Sequence, residues 1–148
     1  MSFANRYAFN KEAAEDGTWV VMGGGLDIRV RRINSKFVRD FVTKENKKHS
    51  HLTRGGRELP NDISEMISRR VGAHAILNGW RDTPKGPDNP TGEKGAPRGD
   101  DGNVIEYSPD VALQYFVDYP DFLEDVVTQS SSVENFREEE RKTIEGNS

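Results

Sequence analysis

The clearest rhythm along the chain has period two. Trp19, Val20, Val21 and Met22 precede Gly23, Gly24 and Gly25, and then Leu26, Ile28 and Val30 alternate with Asp27, Arg29 and Arg31. Successive strand side chains point to opposite faces, so residues 18–33 predict a β-hairpin whose second strand has one apolar and one charged face. The three glycines supply the positive φ that a tight turn needs. A phosphate-cradling loop would continue with Lys-Ser or Lys-Thr into a helix. Here a strand pattern follows, so the triplet reads as a turn.

From Asn34 the period lengthens. Phe37, Val38, Phe41 and Val42 recur at helical spacing up to about Lys48, with Asn34 or Ser35 placed to cap the start. Lys44, Lys47, Lys48 and His49 crowd the last turn, where cations suit the negative end of the helix dipole. After a polar loop through Gly55 and Gly56, Asp62 and Glu65 stand at capping-box spacing ahead of Met66, Ile67 and Val71. They predict a second helix from near Asp62 to at least Gly72. Ala73 to Trp80 fits either a continuation of that helix or a short strand.

Residues 81–103 break every period. They hold five glycines, four of the seven prolines, nine charged residues and only Ala96 as an apolar side chain. So little apolar surface cannot offset the entropy of ordering, and a flexible, exposed loop dispensable for folding is expected. Ser108 and Pro109 then open a third helix to about Asp118, with Val111, Ala112, Tyr115 and Phe116 on its buried side. Pro120 restarts the chain in a fourth helix carrying Phe122, Leu123, Val126 and Val127. After Ser130 to Ser132, a last polar helix is expected from about Val133 to Lys142, anchored by Val133, Phe136 and Ile144.

Strand pattern first and helical patterns afterwards, without βαβ alternation, predict an α+β fold. The expectation is an N-terminal antiparallel β-hairpin or small sheet packed on four to five α-helices. The 148 residues suit one small domain. Its parts are a strand-rich 1–33, a helical 34–80, the flexible loop 81–103 and an acidic helical 104–148. Trp19, Trp80, Phe37, Phe41, Phe116 and Phe122 are expected in the core or at its edge.

Composition narrows the chemistry. The absence of cysteine excludes disulfides, thiolate nucleophiles and zinc–sulfur sites. The longest apolar runs are a few residues, far below the roughly 20 that span a bilayer, and no signal-peptide order opens the chain. A soluble cytosolic protein is expected. His49 and His51 lie in a Lys- and Gly-rich loop without a carboxylate at ligand spacing, and His74 lacks an oriented partner, so neither metal binding nor catalysis is expected. No cofactor is expected either.

The net charge of -4 conceals opposed ends. Residues 1–58 hold 12 Lys/Arg against 7 Asp/Glu, residues 59–99 hold 6 against 5, and residues 100–148 hold 3 against 13. Such ends can attract each other within one chain, pair head to tail between copies, or meet different partners. The basic stretch, with Arg32, Lys36, Arg39, Lys44, Lys47 and Lys48 as a candidate steering face, suggests a rival nucleic-acid reading. Phe37 and Phe41 share the apolar helix face, which argues for core rather than base stacking, so nucleic acid is not the favoured partner.

In order, these pieces resemble the tail assembly chaperones of long-tailed, siphovirus-type bacteriophages. The resemblance rests on Glu15, Asp16, Gly17, Thr18 and Trp19, on Ile28 to Arg32, and on an Asn-Ser-Lys-Phe helix start at Asn34 to Phe37. It continues in Ala75 to Trp80, in Asp101 and Gly102 leading to Tyr107, Ser108, Pro109 and Asp110, and in a closing helix pair ending at Phe136. It spans most of the chain, although the Gly/Pro-rich loop is longer than that family's. The resemblance implies a non-catalytic protein of the host cell cytoplasm, absent from the mature virion, that binds the tape measure protein before tail tube polymerisation. Further partners it implies are the tail tube protein, a frameshifted longer form or a second copy, and no membrane. The candidate contacts are Tyr115, Phe116, Tyr119, Phe122, Leu123, Val126 and Phe136. The alternatives are a structural tail or head-tail protein retained in the virion, and a basic-patch nucleic-acid-binding protein.

Overall fold

The computed structural model describes residue 8 and residues 10–137. Along the chain run α1 (Lys11–Asp16), β1 (Thr18–Val21), β2 (Asp27–Val30), α2 (Lys36–Lys48), α3 (Asn61–Val71), β3 (Leu77–Trp80), α4 (Pro109–Asp118) and α5 (Pro120–Ser131). The fold is α+β: one three-stranded antiparallel sheet in the order β1-β2-β3, with helices packed against it. The hairpin pairs Thr18 with Val30 and Val21 with Asp27, and Gly24 and Gly25 take positive φ in its turn. β3 adds to the other side of β2, pairing Trp80 with Ile28. The middle strand is therefore the most enclosed, and Asp27, Ile28 and Val30 have no exposed surface.

Between α3 and β3 the chain makes one turn of π-helix, Gly72–Ile76. Both readings of Ala73 to Trp80 are thus realised in sequence, a helical continuation and then a strand. A wide turn frees carbonyls that must be satisfied elsewhere. Arg31 donates from its backbone N–H to Ile76 O at 2.8 Å and from Nη1 to Ala75 O at 2.9 Å. The Tyr107 hydroxyl donates to Leu77 O at 2.9 Å and Ala73 O at 3.2 Å. Gly72 is needed because α4 and α5 close on it: a Cβ there would meet the Phe116 ring at 3.1 Å and press still harder on Leu123. The elements packed on this turn bury Val38, Leu77, Ala112, Phe116 and Val126, while Phe136 is buried beside α1 and β1.

Two expected caps form. Ser35 accepts from Val38 N at the start of α2, and Ser108 accepts from Val111 N at the start of α4, where Pro109 takes the first helical position. The capping box does not form. Pro60 occupies the cap of α3, Asp62 and Glu65 fall inside the helix, and Glu65 faces Arg69 at 3.6 Å instead. Val133–Phe136 is a single 3-10 turn and Arg137 is extended, so no α-helix starts at Val133. The remainder of that expected helix, with Ile144, lies outside the described residues.

Trp19 and Phe37 also depart from expectation. They are 38% and 43% exposed, and each has an arginine guanidinium over its ring, Arg81 at 4.1 Å and Arg31 at 3.7 Å. A cation on the open face of a ring replaces the burial that the apolar pattern predicted. Trp80 and Phe116 are buried, and Phe41 and Phe122 pack at the core edge.

The segment 81–103 contains no helix or strand, yet it carries a framework that its composition did not announce. Asn89 is 3% exposed, and its Nδ2 donates to Thr83 O at 2.7 Å and Lys94 O at 2.9 Å while its Oδ1 accepts from Lys94 N at 3.0 Å. The far side is fastened to the hairpin turn: Gly95 N donates to Gly25 O at 2.8 Å, and Asp27 N donates to Gly95 O at 2.9 Å. Buried Asp27 accepts from Arg81 Nε at 2.9 Å and from Thr83 Oγ1 at 3.3 Å. One buried amide and one buried carboxylate thus supply what apolar side chains do elsewhere.

Candidate protein-binding face

α4 and α5 form a corner at Tyr119. This residue leaves helical geometry (φ -132°, ψ 80°), its N–H donates to Tyr115 O at 2.7 Å, and Pro120 starts the next helix directly. The two helices bury Ala112, Phe116 and Val126 between themselves and the rest of the core. From there a continuous run of rings leads outward. Trp80 meets Tyr107 edge-on at 5.1 Å and Tyr115 at 5.9 Å; Tyr115 meets Tyr119 at 6.1 Å and Phe122 at 6.4 Å; Phe122 meets Phe116 at 5.1 Å. The run ends at Tyr119, 62% exposed, beside Val117, 48% exposed.

The rim of this corner has one sign. Residues 109–131 include Asp110, Asp118, Asp121, Glu124 and Asp125 and no Lys or Arg. All five acids are exposed, and none forms an ion pair among the described residues. A shallow depression of about 560 Å³ lies along α5 between Pro120, Leu123, Val127 and this acidic rim. Exposed rings held in place by buried ones, beside unpaired charge, suit recognition of another protein surface.

The seven sequence-predicted contacts divide. Phe116, Val126 and Phe136 are 0%, 0% and 1% exposed and closed to any partner in this conformation. Tyr115, Phe122 and Leu123 lie half-buried at the edge, and Tyr119 stands open. Val117 was missed. Its position follows from the exposed helical face of Asp110, Gln114 and Asp118, a spacing already present in the sequence.

The basic candidates gather on and beside α2. Lys36, Arg39, Lys44 and Lys47 share its outward face, while Val38 and Glu45 are buried on the opposite one. Lys36 pairs with Asp40 at 2.9 Å, and Lys48 pairs with Glu45 at 3.0 Å. Arg32 is half-buried and, with Lys11, Lys36 and Arg39, lines an open cleft of about 410 Å³ at the N-terminus of α2. The positive end of the helix already holds a carboxylate of the chain itself: Lys36 N donates to Glu15 Oε1 at 2.6 Å and Phe37 N to Glu15 Oε2 at 3.0 Å. Arg31 covers Phe37 while its Nε donates to Glu15 O at 2.8 Å. Among the described residues, Phe37 is the aromatic of this helix nearest the cleft, and Arg31 already occupies one face of its ring, which a nucleobase would otherwise stack on.

The histidines take ordinary places. His49 ends α2, His51 lies in a 3-10 turn, and His74 stacks on Phe41 at 5.8 Å within the π turn. Among the described residues no group of three or more His, Cys, Asp or Glu is placed to hold a metal ion, and no helix is long and apolar enough to cross a membrane.

No curated protein and no solved structure matches the chain. A family model does match, over residues 33–147, which takes in α2 through α5 and leaves out the β1–β2 hairpin. By that match, which covers most of the sequence, the chain belongs to the YdaY prophage protein family, a phage-derived family.

Proposed function

We propose that this phage protein is a non-catalytic tail assembly chaperone that binds the tape measure protein in the host cytoplasm before the tail tube polymerises. The observation that supports this most directly is the ring-lined, acidic corner of α4 and α5, with Tyr119 open and its aromatic neighbours anchored in the core. A tape measure protein is a long helical chain with apolar stripes. Left uncovered, such stripes aggregate, and a small protein offering rigid aromatic contacts at the centre of a charged rim can cover them.

Point substitutions test the face better than truncation. Removing the chain after Gln129 would strip out Ser130, whose Oγ donates to Arg31 O at 2.6 Å, together with buried Phe136, and so would unfold what it probes. Tyr119→Ala combined with Leu123→Ala should instead weaken co-purification with the tape measure protein at least about tenfold while leaving the circular dichroism spectrum intact. Undiminished capture by that folded variant would remove this face from the proposal. Mass spectrometry of purified virions separates a chaperone, which should be absent, from a structural tail protein, which should be present in stoichiometric amount.

A further inference from the structure

We infer that copies of this chain associate head to tail, the basic outer stripe of α2 in one copy lying against the acidic outer stripe of α5 in the next. The two stripes have matching form. On α2, Lys36 and Arg39, and again Lys44 and Lys47, stand three residues apart with Asp40 between the pairs, and on α5 Asp121 is followed at three and four residues by Glu124 and Asp125. All seven side chains belong to exposed residues. Six of the seven, all but Lys36, take no part in an ion pair among the described residues, and no ion pair joins the two helices.

Each stripe also has an apolar foot at its N-terminal end. Ile33 and Phe37 are 38% and 43% exposed beside the basic stripe, and Val117 and Tyr119 are 48% and 62% exposed beside the acidic one. Four of the seven large apolar side chains on the described surface therefore flank these two stripes. Opposite charge sets the pairing and steers encounter, and the apolar feet give it area. Because the two surfaces differ, the contact is heterologous: every copy offers one donor face and one acceptor face, and association continues into a chain of copies or closes into a ring.

The inference needs no client and is tested on the chain alone, and because the acidic stripe and Tyr119 also belong to the proposed client face, the two associations would compete for it. Sedimentation velocity at about 50 mM salt should show a weight-average mass that rises with protein concentration. The apparent Kd should weaken at least about tenfold at about 500 mM salt, where screening shortens the reach of exposed charges. Two folded variants, Arg39→Glu with Lys44→Glu and Glu124→Lys with Asp125→Lys, should each stay monomeric, and mixing them should restore association. A wild-type monomer throughout the low-salt series would overturn the inference and leave both stripes to other partners. So would variants that associate alone, or a mixture that stays monomeric. Should either variant fail to fold, the salt series on the wild-type chain still decides.

Discussion

Arg70 grips Glu45 with two nitrogens, Nε to Oε2 and Nη2 to Oε1, both at 3.1 Å, and this pair fastens α2 to α3. The Glu45 side chain is 3% exposed, with Lys48 adding a third bond at 3.0 Å. Hydrogen bonding from Arg70, more than any other influence, holds the carboxyl below its ordinary value of 4.5. A depressed carboxyl contributes stability that is complete above the unfolded value and drains as pH falls through 4.5 toward the folded one. Urea midpoints measured down a pH series should therefore fall in that window, and Glu45→Gln should flatten the fall. Arg70 and Lys48 are 32% and 59% exposed and can be rehydrated, so the substitution should cost about 1–2 kcal/mol rather than the 3–5 of a fully buried pair.

Neighbouring aromatics should respond in opposite ways. Phe116→Ala empties a fully buried site and should lower stability by about 3–5 kcal/mol. Tyr119→Ala, three residues on and mostly exposed, should change stability by no more than about 0.5 kcal/mol. Thermal melts of the two variants check both values, and similar losses would mean that the corner is not arranged as described.

Limited proteolysis probes segment 81–103. Asn89→Ala removes three hydrogen bonds that hold the loop to itself. Cleavage within the segment should then accelerate several-fold while the rest of the chain keeps its wild-type pattern. Equal cleavage of wild type and variant would show that the Asn89 framework does not govern access to this stretch.

Arg31 should resist its conservative replacement. Its guanidinium donates to Glu15 O and Ala75 O and lies over Phe37, three tasks that need a planar fork. Lysine retains the charge but not the fork, and Arg31→Lys should cost about 1–3 kcal/mol because a buried carbonyl loses its donor. Denaturant unfolding of the variant provides the number.

The parts of the fold legible in the sequence are those decided within a few residues. Alternation of Leu26, Ile28 and Val30 identified β2, and Ser108 with Pro109 identified the start of α4, because side-chain period and cap chemistry are local. β3 was only an alternative, since four residues that include Gly79 give too short a pattern and depend on β2 for a partner. Asn89 read as loop because the burial of an amide is decided by groups around it and not by its own polarity. Trp19 and Phe37 read as core because nothing local announces a guanidinium arriving from residue 81 or from the end of a preceding strand. The candidate face was legible as a region, through Tyr115, Tyr119, Phe122 and Leu123. Its division into anchors and contacts required the packing of α4 on α5.

The bond from Ser130 Oγ to Arg31 O spans 99 residues, and Ile33 N returns the connection by donating to Ser130 O at 3.1 Å. A ribosome adding roughly 5–20 residues each second completes β2 several seconds before it has made the serine that closes this pair. During that interval the end of the hairpin lacks its tie to α5, and Phe136, which seals the core, does not yet exist. The last step of assembly therefore waits on α5 and the turn that follows it. A premature stop within α5 leaves the end of the hairpin without its tie to Ser130 and the core without Phe136.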